Sequence, residues 1–198
     1  MILATLSFPS SHLAESDLEV VEAVRRGDSE GFAELYRRHA DRIYALFTRL
    51  VGPVSEREDL LQEAFVETYR ALPSFRGEAA FATFLYRIAA RVGFDFLERR
   101  TRSAHLTFDD DALSDLVATD ASPQDQVETR TELGRAFRLL ESLSPKRRAA
   151  FVLVAIEGLS LHEAALALGA DAQAIKQRVL AARKELLTRM AKQGKEGL

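Results

Sequence analysis

Apolar residues recur at three- and four-residue intervals along most of this chain, and hardly any segment alternates apolar with polar residues. The first spacing lines one face of a helix, whereas alternation would line one face of a strand. The chain is therefore all-α, and what remains is how its helices begin, end and group. Ser16 and Glu19 read as a capping box for a short helix ending near Gly27. Asp28 or Ser29 opens a long amphipathic stretch carrying Phe32, Leu35, Tyr36, Ile43, Phe47 and Leu50, which closes at Val51-Gly52-Pro53. Ser55 and Glu58 form a second capping box, for a helix that runs to Leu72 and stops at Pro73. A fourth helix starts around Ala79 and continues to about Arg102. Helical spacing returns near Val127 with Leu133, Phe137, Leu140 and Leu143, and Pro145 sits at the first position of a helix opened by Ser144. No internal repeat or sustained heptad is present, so solenoids and coiled coils fit poorly.

Charge divides these helices into groups. Before residue 103 the chain carries 16 acidic and 14 basic residues, close to balance. Residues 103–134 hold eight acids (Asp109, Asp110, Asp111, Asp115, Asp120, Asp125, Glu128, Glu132) against Arg130 alone. Residues 135–198 reverse the sign, with 12 Lys or Arg against six Asp or Glu. A neutral block, an acidic connector and a basic block predict two small domains with different partners. Residues 103–124, rich in Asp and Ser without sustained period, read as an extended, flexible linker. The total charge of −3 argues against a stand-alone, non-specific DNA coat, which needs a large basic excess to displace counterions.

The strongest local signal lies at Ser160–Leu187. Ser160 and Glu163 cap a short helix of alanine and leucine, Gly169 suits its left-handed end, and Asp171 caps the next helix. Two helices joined by about three residues including a glycine make a helix-turn-helix. On the second helix Ile175, Val179, Ala182 and Leu186 share the inward face, while Gln173, Lys176, Gln177 and Lys184 point outward with Arg178 and Arg183 at the flanks. Glutamine can pair with adenine through two hydrogen bonds, and Lys and Arg reach phosphates, so this face suits DNA. An ordinary helical hairpin with a solvated polar face has the same spacing.

Two further helices carry unusual faces. Asp59, Gln62, Glu63 and Val66 share one side of the third helix, opposite Leu61, Phe65, Thr68, Tyr69 and Leu72, which fit a core. Asp59 and Glu63 repel each other at i, i+4, so neither supports the helix itself. Either a basic partner or plain solvation accounts for them, and from the residues alone solvation is the simpler account. In the fourth helix Phe81, Phe84, Leu85, Ile88 and Val92 form the apolar stripe, with Asp95 close by. Arg87, Arg91 and Phe94 make a second face. Basic side chains beside aromatics are what a single strand needs, because bases stack and phosphates pair; for Phe84, Leu85 and Ile88 a core role is the simpler account.

Nothing in the chain indicates catalysis or a cofactor. There is no cysteine, which excludes disulfides and thiolate metal sites. The four histidines, His12, His39, His105 and His162, have no spacing that implies a metal or a nucleophile's base, and there is no phosphate-binding loop. The first 16 residues lack the basic start of a signal peptide, and no apolar run approaches a membrane span, so a cytoplasmic protein without membrane insertion or a small-molecule substrate is expected.

Taken together, EDLLQEAFVETYRALPSFRGEAAFATFLYRIA and LSPKRRAAFVLVAIEGLSLHEAALALGADAQAIKQRVLAARKEL resemble regions 2 and 4 of the extracytoplasmic-function (ECF) sigma factors, the small two-domain initiation subunits of bacterial RNA polymerase. The resemblance implies an N-terminal extension at 1–16, region 2 at 17–102, an acidic linker at 103–126 and region 4 at 127–198. It implies that Asp59, Gln62 and Glu63 dock on core polymerase, turning a face that looked merely solvated into a docking surface. It implies that Ala71, Phe75, Arg76, Arg87, Ile88, Arg91 and Asp95 melt and read the −10 element, with one base taken out of the stack into a pocket. It assigns the −35 element to Gln173, Lys176, Gln177, Arg178, Arg183 and Lys184. An anti-sigma partner is implied as well, and no catalysis. The sequence departs from the family's pattern at Phe84, where a tryptophan is usual, and at Arg91, where an asparagine is. Ala82 and Ala181 stand at commonly basic positions, and Leu180 at a polar one. Fewer cationic contacts predict weaker DNA binding and a shallower salt dependence. They also motivate an alternative in which the C-terminal domain mainly binds a protein.

Overall fold

The computed structural model describes residues 12–102 and 123–196, and among these every regular element is helical. Four helices make the first domain: α1 (His12–Arg25), α2 (Ser29–Val51), α3 (Arg57–Ala71) and α4 (Phe81–Arg102), with a tight 3₁₀ turn at Leu72–Ser74 after α3. The second holds α5 (Pro123–Glu141), α6 (Pro145–Phe151) running into a π-helical turn (Val152–Ile156), α7 (Leu161–Leu168) and α8 (Ala172–Glu196).

Local chemistry sets most of the boundaries. Asp28 caps α2 by accepting the Glu30 amide at 3.0 Å, and Gly52 ends it at φ 91°. Two expected starts move. α1 begins at His12, so Ser16 lies inside the helix rather than at its cap. α3 begins at Arg57 behind Glu56, and the Ser55 hydroxyl donates to the Glu56 carboxylate at 3.3 Å instead of capping an amide. α5 starts at Pro123, four residues ahead of the first apolar position, because proline is pre-set for a helix's first turn. The expected linker at 103–122 and the segment 1–11 fall outside the described residues.

In the first domain α4 packs against α2 and α3, and α1 closes over α2. The tightest approach is at Gly93 of α4, where a Cβ would come within 2.6 Å of Leu50 Cδ2 and 3.3 Å of Phe47. Only a residue without a side chain lets these two helices cross there. Arg57 opens α3 from a buried position. Its Nε donates to the Val54 carbonyl at 3.0 Å, its Nη1 to Thr48 Oγ1 at 3.2 Å, and the guanidinium lies 5.0 Å from the Tyr44 ring centroid. Periodicity assigned Tyr69 to the core, yet it is 54% exposed. It sits at the rim, its ring edge-on to Phe32 at 4.9 Å. Phe94 moves the other way: it is buried in the core instead of sharing an outward face with Arg87 and Arg91.

α1 is pinned to α2 by a buried Asp17, which accepts from Arg38 at 3.1 Å and pairs with His39 Nε2 at 2.9 Å. Burial against Phe81 holds the His39 pKa below 6.5, outweighing the upward pull of Asp17; Arg42 and Arg38 push it further down. The unfolded chain then binds a proton that the native imidazole refuses, so this contribution is present above 6.5 and is lost as pH falls below it. The urea midpoint should therefore drop as pH is lowered from 7 through 6. In His39→Gln that part of the slope should vanish.

The two domains pack against each other. Arg49 of α2 makes a two-pronged pair with Glu157, just beyond the π turn, Nη2 reaching Oε2 at 3.1 Å. The Glu157 side chain is only 6% exposed. Nearby, Arg148 of α6 is buried beside Gly52, facing Glu141 and Arg100, and burial pushes its guanidinium down to about 10. α7 lies along α4, so the apolar cores of both domains are continuous.

Candidate nucleic-acid interface

Three surfaces were expected to act, and two of them meet in one cleft. On α3, Asp59, Gln62 and Glu63 are all exposed, with Val66 beside them at 48%. Glu63 Oε2 lies 3.6 Å from Arg99 Nη2 of α4, so one of these acids already has a basic neighbour within the chain. Next to that pair opens a cleft of about 720 Å³ between α3, α4 and α7. Ala71, Arg87, Ile88, Arg91 and Asp95 all line it, together with Phe84.

Of the seven residues expected at the −10 element, five thus converge. Arg91 and Asp95 form a surface pair at 3.0 Å across one helical turn. Arg87 Nε is buried in the structure without a hydrogen-bond partner. The other two lie elsewhere. Phe75 is 6% exposed, stacked obliquely beneath Phe84 at 5.0 Å, so it supports the cleft wall from below. Arg76 is exposed on the loop beyond it, 3.9 Å from Glu78.

The facing wall is the helix-turn-helix. Ser160 caps α7 by accepting the Glu163 amide at 3.2 Å, while Glu163 accepts the Ser160 amide at 2.9 Å. Those bonds, the Ser160 hydroxyl first, hold the Glu163 carboxyl below its usual range. Gly169 adopts φ 57°, and Asp171 accepts the Ala174 amide at 2.7 Å to start α8. Ile175, Val179 and Ala182 are buried, and Leu186 is partly so. Gln173, Lys176, Gln177, Arg183 and Lys184 are exposed and Arg178 is half-buried, so all six expected −35 residues belong to one helix surface. Leu180 shares that surface at 50% exposure. The turn presses on the first domain: a Cβ at Gly169 would stand 3.0 Å from Arg91 Nη1.

The same two units appear in comparisons with known proteins. Residues 35–103 match Sigma-70 region 2, and residues 133–186 match Sigma-70, region 4. The chain is 32% identical over 183 residues to the RNA polymerase sigma-H factor of Pseudomonas aeruginosa, covering 87% of this chain and 92% of that one. It belongs to the ECF sigma factors. The ECF RNA polymerase sigma-E factor of Escherichia coli K12 is 33% identical over 178 residues, 86% of this chain and 92% of the relative. Among solved structures, CnrH in complex with the cytosolic domain of CnrY shares the fold at a TM-score of 0.62 and 24% identity, covering 89% of this chain and 98% of that one. This sigma factor directs promoter-specific initiation; sigma factors are initiation factors rather than enzymes. No feature of the structure favours a C-terminal domain devoted to protein binding. Among the described residues no helix is long and apolar enough to cross a membrane, and no cluster of His, Cys, Asp and Glu could hold a metal ion.

Sequence reasoning missed the residues that join the domains. Arg49, Arg148 and Glu157 read as ordinary surface charges, and no local spacing marks a partner about a hundred residues away in the chain.

Proposed function

We propose that this sigma factor uses the exposed acids of α3 to dock on a basic surface of core RNA polymerase, the α4 cleft to hold the melted −10 strand, and α8 to read the −35 major groove. The division is residues 17–102 for polymerase and the −10 element and 127–198 for the −35 element. It works in the cytoplasm without turnover of its own, and an anti-sigma protein that holds the two domains together would silence it. One observation carries the reading: five of the seven −10 candidates line a single cleft, with apolar Phe84 and Ile88 beside Arg87 and Arg91. A base needs a surface to stack on and its phosphate needs a cation, and this wall offers both.

In the structure α7 covers that cleft and the turn before α8 rests against it, so a duplex major groove about 12 Å wide cannot be entered by α8 while the cleft holds another strand. The domains must part for both elements to be read. The Arg49–Glu157 pair resists that parting, and Glu157→Arg, which sets like charges face to face, favours it. The chain has no cysteine, so a single pair of introduced cysteines can report the separation by energy transfer. Glu157→Arg should lengthen the distance and raise the free protein's affinity for single-stranded −10 DNA about tenfold, as expected for a base-contacting face uncovered. Adding Arg87→Ala should reverse that gain. Tighter binding that survives Arg87→Ala would place the single-strand site elsewhere.

A further inference from the structure

α1 touches none of the surfaces described above, yet it holds the loop behind them. Arg25, in the last turn of α1, donates from Nε and Nη2 to the Leu72 carbonyl at 3.3 and 2.8 Å, and from Nη2 to the Phe75 carbonyl as well. Those carbonyls bracket the tight turn Leu72–Ser74 that ends α3. The guanidinium also lies 5.9 Å from the Phe75 ring centroid. Further along the loop Gly77, at φ 73°, passes so close to α1 that a Cβ there would meet Leu18 Cδ1 at 3.5 Å. From the opposite side, Phe75 packs edge-on to Phe81 at 6.0 Å and obliquely against Phe84, which lines the cleft beside Ala71.

The chain of contact is therefore continuous: Arg25, the Leu72 and Phe75 carbonyls, the Phe75 ring, Phe84, and the wall where an unstacked base would sit. Backbone carbonyls at a helix end lack intrahelical partners, and a loop freed of its clamp can settle in more than one arrangement. A planar guanidinium satisfies two carbonyls at once from one rigid fork, which a lysine's single ammonium does less well. We propose that Arg25 is a positioning residue for promoter selection: by clamping the Leu72–Phe75 turn it sets the shape of the cleft wall that discriminates bases of the −10 element. This rests on the reading of that cleft as the −10 site.

The test uses holoenzyme rebuilt from the full-length chain and core polymerase of its own host. The template pool is its strongest genomic promoter with the −10 positions randomised, and sequencing the transcripts gives the preference at each base. Good base contacts discriminate by about tenfold or more, so the wild-type profile should show at least one such position. Arg25→Ala should flatten that position to about threefold or less while its affinity for core polymerase stays within about twofold, and Arg25→Lys should fall between. A merely structural role would lower all transcripts together and leave the profile intact, and that result overturns the proposal. Should Arg25→Ala lose its helical signal, Arg25→Gln, which keeps a donor, is read in its place. Ile88→Ala separates the two readings. If it alters the profile and the Arg25 variants do not, only the clamp fails. If it leaves the profile untouched, the cleft is not the −10 site and the clamp falls with it.

Discussion

Reversing two charges on α3, Asp59→Arg together with Glu63→Arg, should cut promoter-dependent transcription by about a thousandfold, because each reversal within a charged interface costs on the order of 2 kcal/mol or more. Both side chains are exposed, and the intramolecular contact that is lost, Glu63 to Arg99 at 3.6 Å, is a surface pair worth well under about 1 kcal/mol. The variant should therefore fold normally and fail at a single step. Run-off transcription on genomic fragments gives the first readout. Binding of labelled sigma factor to the cognate core gives the second, and it too should collapse, more completely at low salt where the wild-type attraction is least screened. A variant that still binds core polymerase as tightly as the wild type would remove α3 from the docking surface.

The largest effect on stability is expected at Phe47. Its ring is fully buried between α2 and α4, against the bare backbone of Gly93. Phe47→Ala removes most of a buried ring and leaves a hole that rigid helices cannot close, at a cost of about 3–5 kcal/mol. For a domain whose total stability is about 5–15 kcal/mol this brings unfolding close to working conditions. Urea titration of the helical circular-dichroism signal should show the midpoint falling sharply with little change in slope. The closeness of the crossing at Gly93 makes collapse into the hole hard, so a loss below about 1 kcal/mol would mean that the two helices slide together more easily than their contact implies.

The parts of this molecule that could be read in advance are those whose chemistry is local. Ser160, Glu163, Gly169 and Asp171 lie within a dozen residues and specify a helix, a left-handed turn and another helix through bonds they make to one another. The acidic face of α3 and the basic face of α8 were legible because each repeats along one helix. The cleft was half legible: Arg87, Ile88, Arg91 and Asp95 share the period of α4, but nothing in sequence says that α7 lies opposite. Burial by tertiary contact is the other blind spot. Tyr69 keeps the apolar period yet sits at a rim. Arg57, a charged residue at a helix start, is buried because Val54, Thr48 and Tyr44 happen to surround it. Arg25 looked like an exposed charge at a helix end, and its partners lie 47 and 50 positions further on.

The π-helical turn after α6 has a consequence for how closure can be adjusted. There the Glu157 amide bonds the Val152 carbonyl, one residue further back than in an α-helix, so the segment carries a residue that an α-helix of the same length would lack. Removing one residue from Val152–Ile156 lets the turn relax to α-helix and rotates the chain beyond it by about 100° around the axis. Glu157 then turns away from Arg49, while Ser160 to Leu187 keeps its own internal bonds. A single-codon deletion can thus reset how firmly the free protein hides its DNA-reading surfaces without altering any residue that touches DNA. Selection for a looser or tighter resting state has a dial separate from promoter choice.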